Sequence, residues 1–412
     1  MTTRRAVLAG GAAFALTPWP VRAATDTLRT ALDAALVERD PATALRSLER
    51  FEAAALQPAA RLDLVTARAG LAVDAALVAR GIDPRAKPGG SHDADVLTLL
   101  LRRKLGDGID LDSATRRLEQ ERAASTAHAA RLFGTLGIGG ATIGACFTRL
   151  WQDERERYPA SDAGRDAAVA EMNRWLTTFA AQIPTLIGAV PDYCRNVSAI
   201  KPSPADLATG KVGVRTLPTA QHSGGYVVDL TAVQDRPRWT LPSVVAHELL
   251  PGHMIQLPIE ALADPHPLRL EYAPCFAEGW SIAIEQRIAQ SGCYARDPRA
   301  ALGQLHWRLF RIGRALVDLA IHTRGQSLDA AHAQLVAWQG EPVAFAPFER
   351  DLARIAQDPM TRTAEMLAAL AIEDGARGRQ GAALRRYHHA ILDHGRMRSD
   401  HVARVARDRA LS

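Results

Sequence analysis

The stretch that most limits how this chain folds is "VVAHELLPGHMIQL", Val244 to Leu257. It holds two histidines, His247 and His253, with Glu248 beside the first and a Pro-Gly pair, Pro251 and Gly252, between them. In an unbroken helix a six-residue offset is a rotation of about 240° and a rise of about 9 Å. One metal ion with bonds of about 2.0–2.1 Å to nitrogen could not reach both imidazoles. The histidines act together only if the helix breaks between them. Pro251 supplies that break, because it lacks an N–H and its ring opposes the carbonyl of His247 four residues back. Gly252 then admits a sharp turn. Upstream, Thr240 is the expected N-cap, and Pro242 suits a first helical turn.

A kink at Pro251 that returns His253 toward His247 makes a divalent metal site. Glu248, next to the first ligand, is placed to take the proton of a metal-activated water. A catalytic tetrahedral site takes three protein ligands and leaves one position open. The third is sought in "LEYAPCFAEGWSIAIEQRI", where Glu271, Glu278 and Glu285 recur every seven residues and share a face wherever the helix is unbroken. Glu278, flanked by Ala277, Gly279 and Trp280, is the expected ligand. For Glu271 and Glu285 a solvated surface face and a site role remain equally open.

Most of the rest of the chain has helical periodicity, including Leu28, Leu32, Ala35 and Leu36, and then "DAGRDAAVAEMNRWLTTFAAQIPTLIG" (162–188). Residues 81–93 read as a loop, and 110–137 as a helix capped by Asp112 or Ser113. Strands are predicted only within "VGVRTLPTAQHSGGYVVDLT" (212–231). The fold class is therefore mainly α, with a small β element before the His247 helix. The chain reads as one domain after residue 23, with 24–135 an N-terminal helical part and 136–412 carrying the metal site.

"MTTRRAVLAGGAAFALTPWPVRAA" has paired arginines, an apolar run too short to span a bilayer, and a small-residue site near Ala23, as in a cleaved export signal of twin-arginine type. That implies a periplasmic or secreted protein with no stable membrane anchor. The net charge of +5 falls close to neutral once Arg4, Arg5 and Arg22 are removed. No basic stripe with interleaved aromatics is present, which argues against nucleic acid as a partner. Cys146, Cys194, Cys275 and Cys293 show no C-x-x-C spacing, and both disulfides and buried thiols remain open. The sequence leaves the oligomeric state open.

A third polar pattern lies in "RLFRIGRALVDLAIHTRG". Arg311, Arg314, Asp318 and His322 fall on one stripe of an apolar helix. Asp318 is placed to orient His322, and an oriented His322 or Arg314 beside a metal would stabilise an oxyanion. A buried ion-pair network is the competing reading.

These motifs, in this order, resemble the bacterial domain-of-unknown-function family 885, helical proteins similar to zinc metallopeptidases. The matching elements are H-E-x-x-P-G-H-x-x-Q at His247 to Gln256, E-G-W at Glu278 to Trp280 with the later Glu285, R-x-x-R-x-x-x-D-x-x-x-H-x-x-G at Arg311 to Gly325, and a late segment at "RRYHHAILDHG" (385–395). The resemblance implies a large helical metallopeptidase-like fold and one Zn2+ held by His247, His253 and Glu278, with Glu248 as general base. It also implies that "GGYVV", with Gly225 and Tyr226, is an edge strand against which a peptide lies. The chain departs from the family pattern at Met254, where many relatives have histidine, at Ala283, where many have tyrosine, and across residues 358–366, where only Pro359 of a longer motif remains.

The expected activity is zinc-dependent hydrolysis of peptide or amide bonds. Arg314 and His322 would act on the oxyanion, with Arg311 and Asp318 in support and His388 or His389 approaching from the C-terminal segment. Two other functions fit the same residues: hydrolysis of a non-peptide amide or ester, and non-catalytic peptide binding.

Overall fold

The computed structural model describes residues 19–86, 92–341 and 348–408. The export-signal reading rests chiefly on residues 1–18, outside the described residues. The protein is mainly α-helical, with one three-stranded sheet. No helix among the described residues is long and apolar enough to cross a membrane.

The architecture is built around the 27-residue helix Pro298–Arg324, about 40 Å long at 1.5 Å per residue. Its start is fixed by Pro298 and by the Asp297 carboxylate, which accepts from the backbone N–H groups of Arg299 and Ala300. Gly325, with φ of 64°, ends it in the left-handed conformation. Buried along most of its length, it packs against the helices Leu111–Thr135, Leu241–Glu248, Phe276–Gln290, Leu328–Gln339 and Thr361–Ala376. The main core draws on residues from Leu62 to Val402, so Leu118 and Leu249 share one interior and no core boundary falls near residue 135. A smaller cluster joins the first helices (Leu28, Leu32, Leu48, Leu64) to Leu268 and Tyr272.

Periodicity found the long helices but misplaced some of their ends. The helix read from 110 spans Leu111–Thr135, and its cap is Asp110, a few residues before the expected Asp112 or Ser113. The helix predicted over 162–188 stops at Ala180, and a separate turn follows at Ile183–Leu186. Strand β1 (Val197–Ile200) was not foreseen, because four residues are too few to show alternation. Strands β2 (Val214–Thr216) and β3 (Gly224–Val227) fall inside the predicted β segment.

The sheet order is β1-β3-β2, with β1 parallel and β2 antiparallel to β3. This corrects the edge-strand expectation for Gly225 and Tyr226. β3 is the central strand, and its backbone is paired on both sides. Gly225 packs under Ile200, whose Cδ1 would lie 2.3 Å from any added Cβ. On the outer flank of β1 the Asn173 amide mimics a strand, donating to the Ala199 carbonyl and accepting from its N–H. The exposed edge is β2.

Beside the central helix, His306 is 1% exposed among Phe147, Trp151 and Trp239. Burial in this apolar setting pulls its pKa down to about 3. The folded protein therefore keeps His306 neutral where an unfolded chain, with pKa near 6.5, takes up a proton. The unfolded state gains protons first as pH falls, so this contribution to stability is complete above about pH 6.5 and is lost toward pH 3. At about 1.4 kcal/mol per unit, lowering the pH from 6.5 to 5 removes on the order of 2 kcal/mol through this group. Denaturant titrations at the two pH values measure the loss, and His306→Phe is expected to make it smaller.

Candidate metal centre

The Leu241–Glu248 helix is buried from Leu241 to His247 and apolar on nearly every side, as suits a helix inside a protein. Thr240 stands at its N-cap position but makes no side-chain cap; its hydroxyl donates to the Pro237 carbonyl. Trp307 of the central helix donates its indole N–H to the Thr240 carbonyl at 3.2 Å and ties the helix start to that rod.

The helix ends at Glu248, and a new one begins at His253. The break lies where Pro251 and Gly252 predict it, across a cis Leu250–Pro251 peptide. Gly252 serves differently from expected. Its φ of −74° needs no glycine, but a Cβ there would lie 2.0 Å from the His247 carbonyl oxygen and 2.5 Å from that of Ala246. It is glycine because the returning chain crosses directly over the end of the first helix.

The return brings the imidazoles of His247 and His253 together, with ring centroids 4.8 Å apart and planes nearly perpendicular. The Phe276–Gln290 helix supplies the carboxylate: Glu278 Oε2 lies 3.3 Å from His247 Nε2, and Oε1 lies 3.3 Å from His253 Nε2. Gly279 allows this helix against Thr361–Ala376, since a Cβ there would meet the Ala368 Cβ at 2.8 Å. Trp280 donates its indole N–H to the Pro251 carbonyl at 3.2 Å and pins the turn. In Glu278-Gly279-Trp280, then, the first residue is the donor, the second permits close contact and the third braces the turn. His388 stacks edge-on against Trp280 at 5.3 Å and donates from Nδ1 to the Leu186 carbonyl, so it supports the brace from behind. His389 pairs with Asp393.

The two histidines and Glu278 can each present one donor atom such that all three atoms lie within 4.8 Å of one another. Tetrahedral ligands on bonds of about 2.0–2.1 Å sit about 3.4 Å apart, close to the two 3.3 Å contacts. His253 is 1% exposed; its Nδ1 has no hydrogen-bond partner, and its Nε2 has only the Glu278 carboxylate 3.3 Å away, outside good hydrogen-bond geometry. A buried polar group in that condition costs about 1–3 kcal/mol, which a coordinate bond from Nε2 would offset. Two imidazoles and a carboxylate are the donor set of a zinc-type ion. By spacing and by chemistry these residues fit a divalent metal.

The electrostatics set the two histidines apart. Burial disfavours charge on His253 and lowers its pKa, which keeps an unprotonated nitrogen ready. Burial also pulls His247 down, but Glu278 and Glu285 on its two nitrogens outweigh it and raise the pKa to about 9, so an ion binding at Nε2 must displace a proton that the metal-free site holds at neutral pH. Glu278 is held well below the usual carboxylate range, because the two histidines outweigh the burial that would raise it.

Glu285 is the site residue that the sequence left undecided. It is 1% exposed and accepts from His247 Nδ1 at 2.6 Å, from Ser243, and from Arg311 at 2.9 and 3.0 Å. This fixes the tautomer that turns Nε2 toward Glu278. Glu271 pairs instead with Arg103, because residues 273–275 interrupt the helix and cancel the seven-residue register. Removing such an orienting carboxylate typically costs 10–100-fold in metal affinity. Glu285→Gln is expected to weaken binding by about that factor in a competitive chelator titration, without changing the stoichiometry.

Of the third motif, only Arg311 reaches the centre. Arg314 Nη1 lies 3.3 Å from Asp351 Oδ2 and its guanidinium stacks over Phe310. Asp318 accepts from the N–H groups of Met360 and Thr363 and caps the Thr361–Ala376 helix from outside. His322 Nε2 bonds the Ile355 carbonyl at 3.0 Å and lies 3.7 Å from Asp318, beyond a hydrogen bond. In this structure the partners of Arg314, Asp318 and His322 are thus Asp351, the start of the Thr361–Ala376 helix and the Ile355 carbonyl, and none of the three touches the His247–His253–Glu278 cluster directly. One stripe of a helix shares a direction but not a height, and eleven residues climb about 16 Å.

Around Glu248 the structure adds residues that the sequence did not mark. Arg215 of β2 makes a close ion pair with the Glu248 carboxylate. Tyr226 lies across the strand pair from Arg215, within the field of Glu248, Arg215 and Arg236. Burial, aided by Glu248, pushes its hydroxyl pKa upward, so it remains a proton donor. Arg215 had no local signal in the sequence, lying 33 positions from its partner. Met254, at a position where many relatives carry histidine, is fully buried, and Ala283 is buried too. The four cysteines are free thiols. A cavity of about 370 Å³ lies behind the Phe276–Gln290 helix, lined by Trp280, Arg287, Arg308 and Glu373. It contains none of the metal donors, and its Arg308 is already paired with Glu373 and Glu121.

Fold and site together define a mainly helical protein with a His-His-Glu cluster at a helix break and an acidic residue beside it. The chain belongs to the family described as "Bacterial protein of unknown function (DUF885)", which it matches over residues 4–405. No curated protein matches it. Two solved structures share the fold, each described as a "putative lipoprotein". The one from Colwellia psychrerythraea has a TM-score of 0.67 at 20% identity, covering 93% of this chain and 69% of that one. The one from Shewanella oneidensis has a TM-score of 0.62 at 15% identity, covering 92% and 73%.

Proposed function

We propose that the protein is a zinc-dependent hydrolase of peptide or amide bonds. The observation that carries this reading is the convergence of His247, His253 and Glu278 at ligand spacing, with Glu248 next in sequence and outside the donor set. A divalent ion held by these three residues would polarise a carbonyl and bring a water's pKa toward about 7.

The chain's own residues do the rest. Glu248 takes the proton of the attacking water and passes it to the leaving nitrogen. Glu285, held by Arg311 and Ser243, keeps His247 oriented with Nε2 toward the ion's place beside Glu278. Tyr226, opposite Arg215 in the strand pair and kept protonated beside Glu248, would be the donor to the oxygen on which negative charge develops. Tyr226 thus contributes its side chain, not a strand edge, and an extended substrate has the exposed β2 edge to run along.

The twin-arginine-like leader and the "putative lipoprotein" description of both fold relatives support an exported or envelope-associated protein. The test is metal analysis of purified protein, followed by assays on peptides, acyl amides and esters with and without chelator. About one metal per chain and chelator-sensitive release of amines are expected. A chain that neither binds zinc nor cleaves any member of the panel would refute the reading. Cleavage of esters or non-peptide amides alone would move the substrate class.

A further inference from the structure

The geometry points to Arg215 as the receptor for the free C-terminal carboxylate of the substrate, which makes this site a carboxypeptidase-type centre. The inference rests on the hydrolase reading above and adds the substrate class.

The ion pair between Arg215 and Glu248 is the starting point. Glu248 is the base of the reaction, yet its carboxylate is occupied by a guanidinium. Arg215 Nη1 holds one of the two carboxylate oxygens, Oε2, so moving the guanidinium away opens the whole carboxylate to a water's proton. Moving an arginine off its carboxylate is costly unless another anion replaces it, because hydrogen bonds between charged groups are the strong ones. A substrate carboxylate offsets the loss: the planar guanidinium gives up a single contact to Glu248 Oε2 and can take a bidentate one to the substrate. A neutral chain segment offers no such replacement.

Placement supports the exchange. Arg215 lies on β2, whose three residues are all exposed, and the side chains of Arg215 and Glu248 are 29% and 21% exposed. The pair therefore faces solvent and is open to an incoming ligand. Arg215 sits directly opposite Tyr226 in the antiparallel register. Side chains of such a pair leave the same face of the sheet from Cβ atoms about 5 Å apart. A peptide advances about 3.3–3.6 Å per residue. A substrate whose scissile carbonyl meets Tyr226 would bring to Arg215 a group one or two residues further on. A chain that ends there puts a carboxylate at that point whatever its side chains, whereas an internal residue does so only if it is Asp or Glu. The site then removes one or two residues from the C-terminus, and the bound substrate frees Glu248 as it docks.

The experiment compares acetylated tripeptides that differ only in ending as free carboxylates or as carboxamides, using the full metal-loaded chain. Wild type is expected to prefer the acids by about 10–100-fold in kcat/KM, the usual weight of a hydrogen bond between charged groups. Most of that preference is expected in KM. R215Q should bring the acid-to-amide ratio close to one, and R215K should restore part of it as a point charge. An acid-to-amide ratio near one in wild type, or a ratio unmoved by R215Q in a folded variant, overturns the assignment while leaving the hydrolase intact. If R215Q fails to fold, the wild-type ratio and R215K decide. No turnover of either series by zinc-loaded protein, together with inactivity on the wider amide and ester panel, refutes the hydrolase reading itself and the inference with it.

Discussion

Glu248→Gln should lower turnover by about 10²–10⁴-fold, the range expected for loss of a positioned general base, while the protein still binds one metal ion. The substitution keeps the shape of the side chain and removes its capacity to accept a proton. Metal retention follows from geometry. The donor cluster consists of His247, His253 and Glu278, and Glu248 is turned to Arg215 instead. The fold should be little affected, since a partly exposed ion pair contributes up to about 1 kcal/mol. Metal analysis beside single-turnover kinetics separates the outcomes. Activity within a few-fold of wild type would remove Glu248 from the base role. If wild type shows no activity but binds peptide, and the variant binds it equally, the protein is a peptide-binding module.

His253→Ala should empty the site. With two donors remaining, one from each of two separate elements, metal content is expected to fall from about one per chain to near zero at micromolar metal. The thermal signature is more specific. A ligand at about 1,000 times its Kd stabilises the folded state by about 4 kcal/mol, so wild type should melt higher with metal and the variant should not respond. In the metal-free state the variant loses buried packing but also loses an Nδ1 with no partner and an Nε2 poorly aligned with Glu278. Its stability should therefore fall by less than the roughly 2–5 kcal/mol typical of a buried large-to-small change. A variant that binds metal as tightly as wild type would dismiss His253 as a ligand.

The parts of the site visible in the sequence are those set by neighbours along the chain. The His247–His253 offset, the missing N–H of Pro251 and the need for Gly252 concern a few consecutive residues, and local sterics settle them. Glu278 was legible because an acid between alanine, glycine and tryptophan is out of place on a surface. Glu285 and Glu271 were not separable. They are related to Glu278 by the same spacing, and a short break at 273–275 carries one away and leaves the other facing His247. Arg311 and His322 shared a stripe, but only one is level with the centre.

The sequence alone determined that the helix must end between the two histidines and that two imidazoles with nearby carboxylates are the available donors. Those are consequences of backbone dihedrals and side-chain chemistry, which act over a few bonds. Only the tertiary structure decided which carboxylate faces which nitrogen, that β3 lies inside the sheet and not at its edge, and that Arg215 meets Glu248. These depend on how the helices pack against the Pro298–Arg324 rod and on strand order. Packing is a property of surfaces brought together from distant parts of the chain, and no short window of sequence records which surfaces will meet.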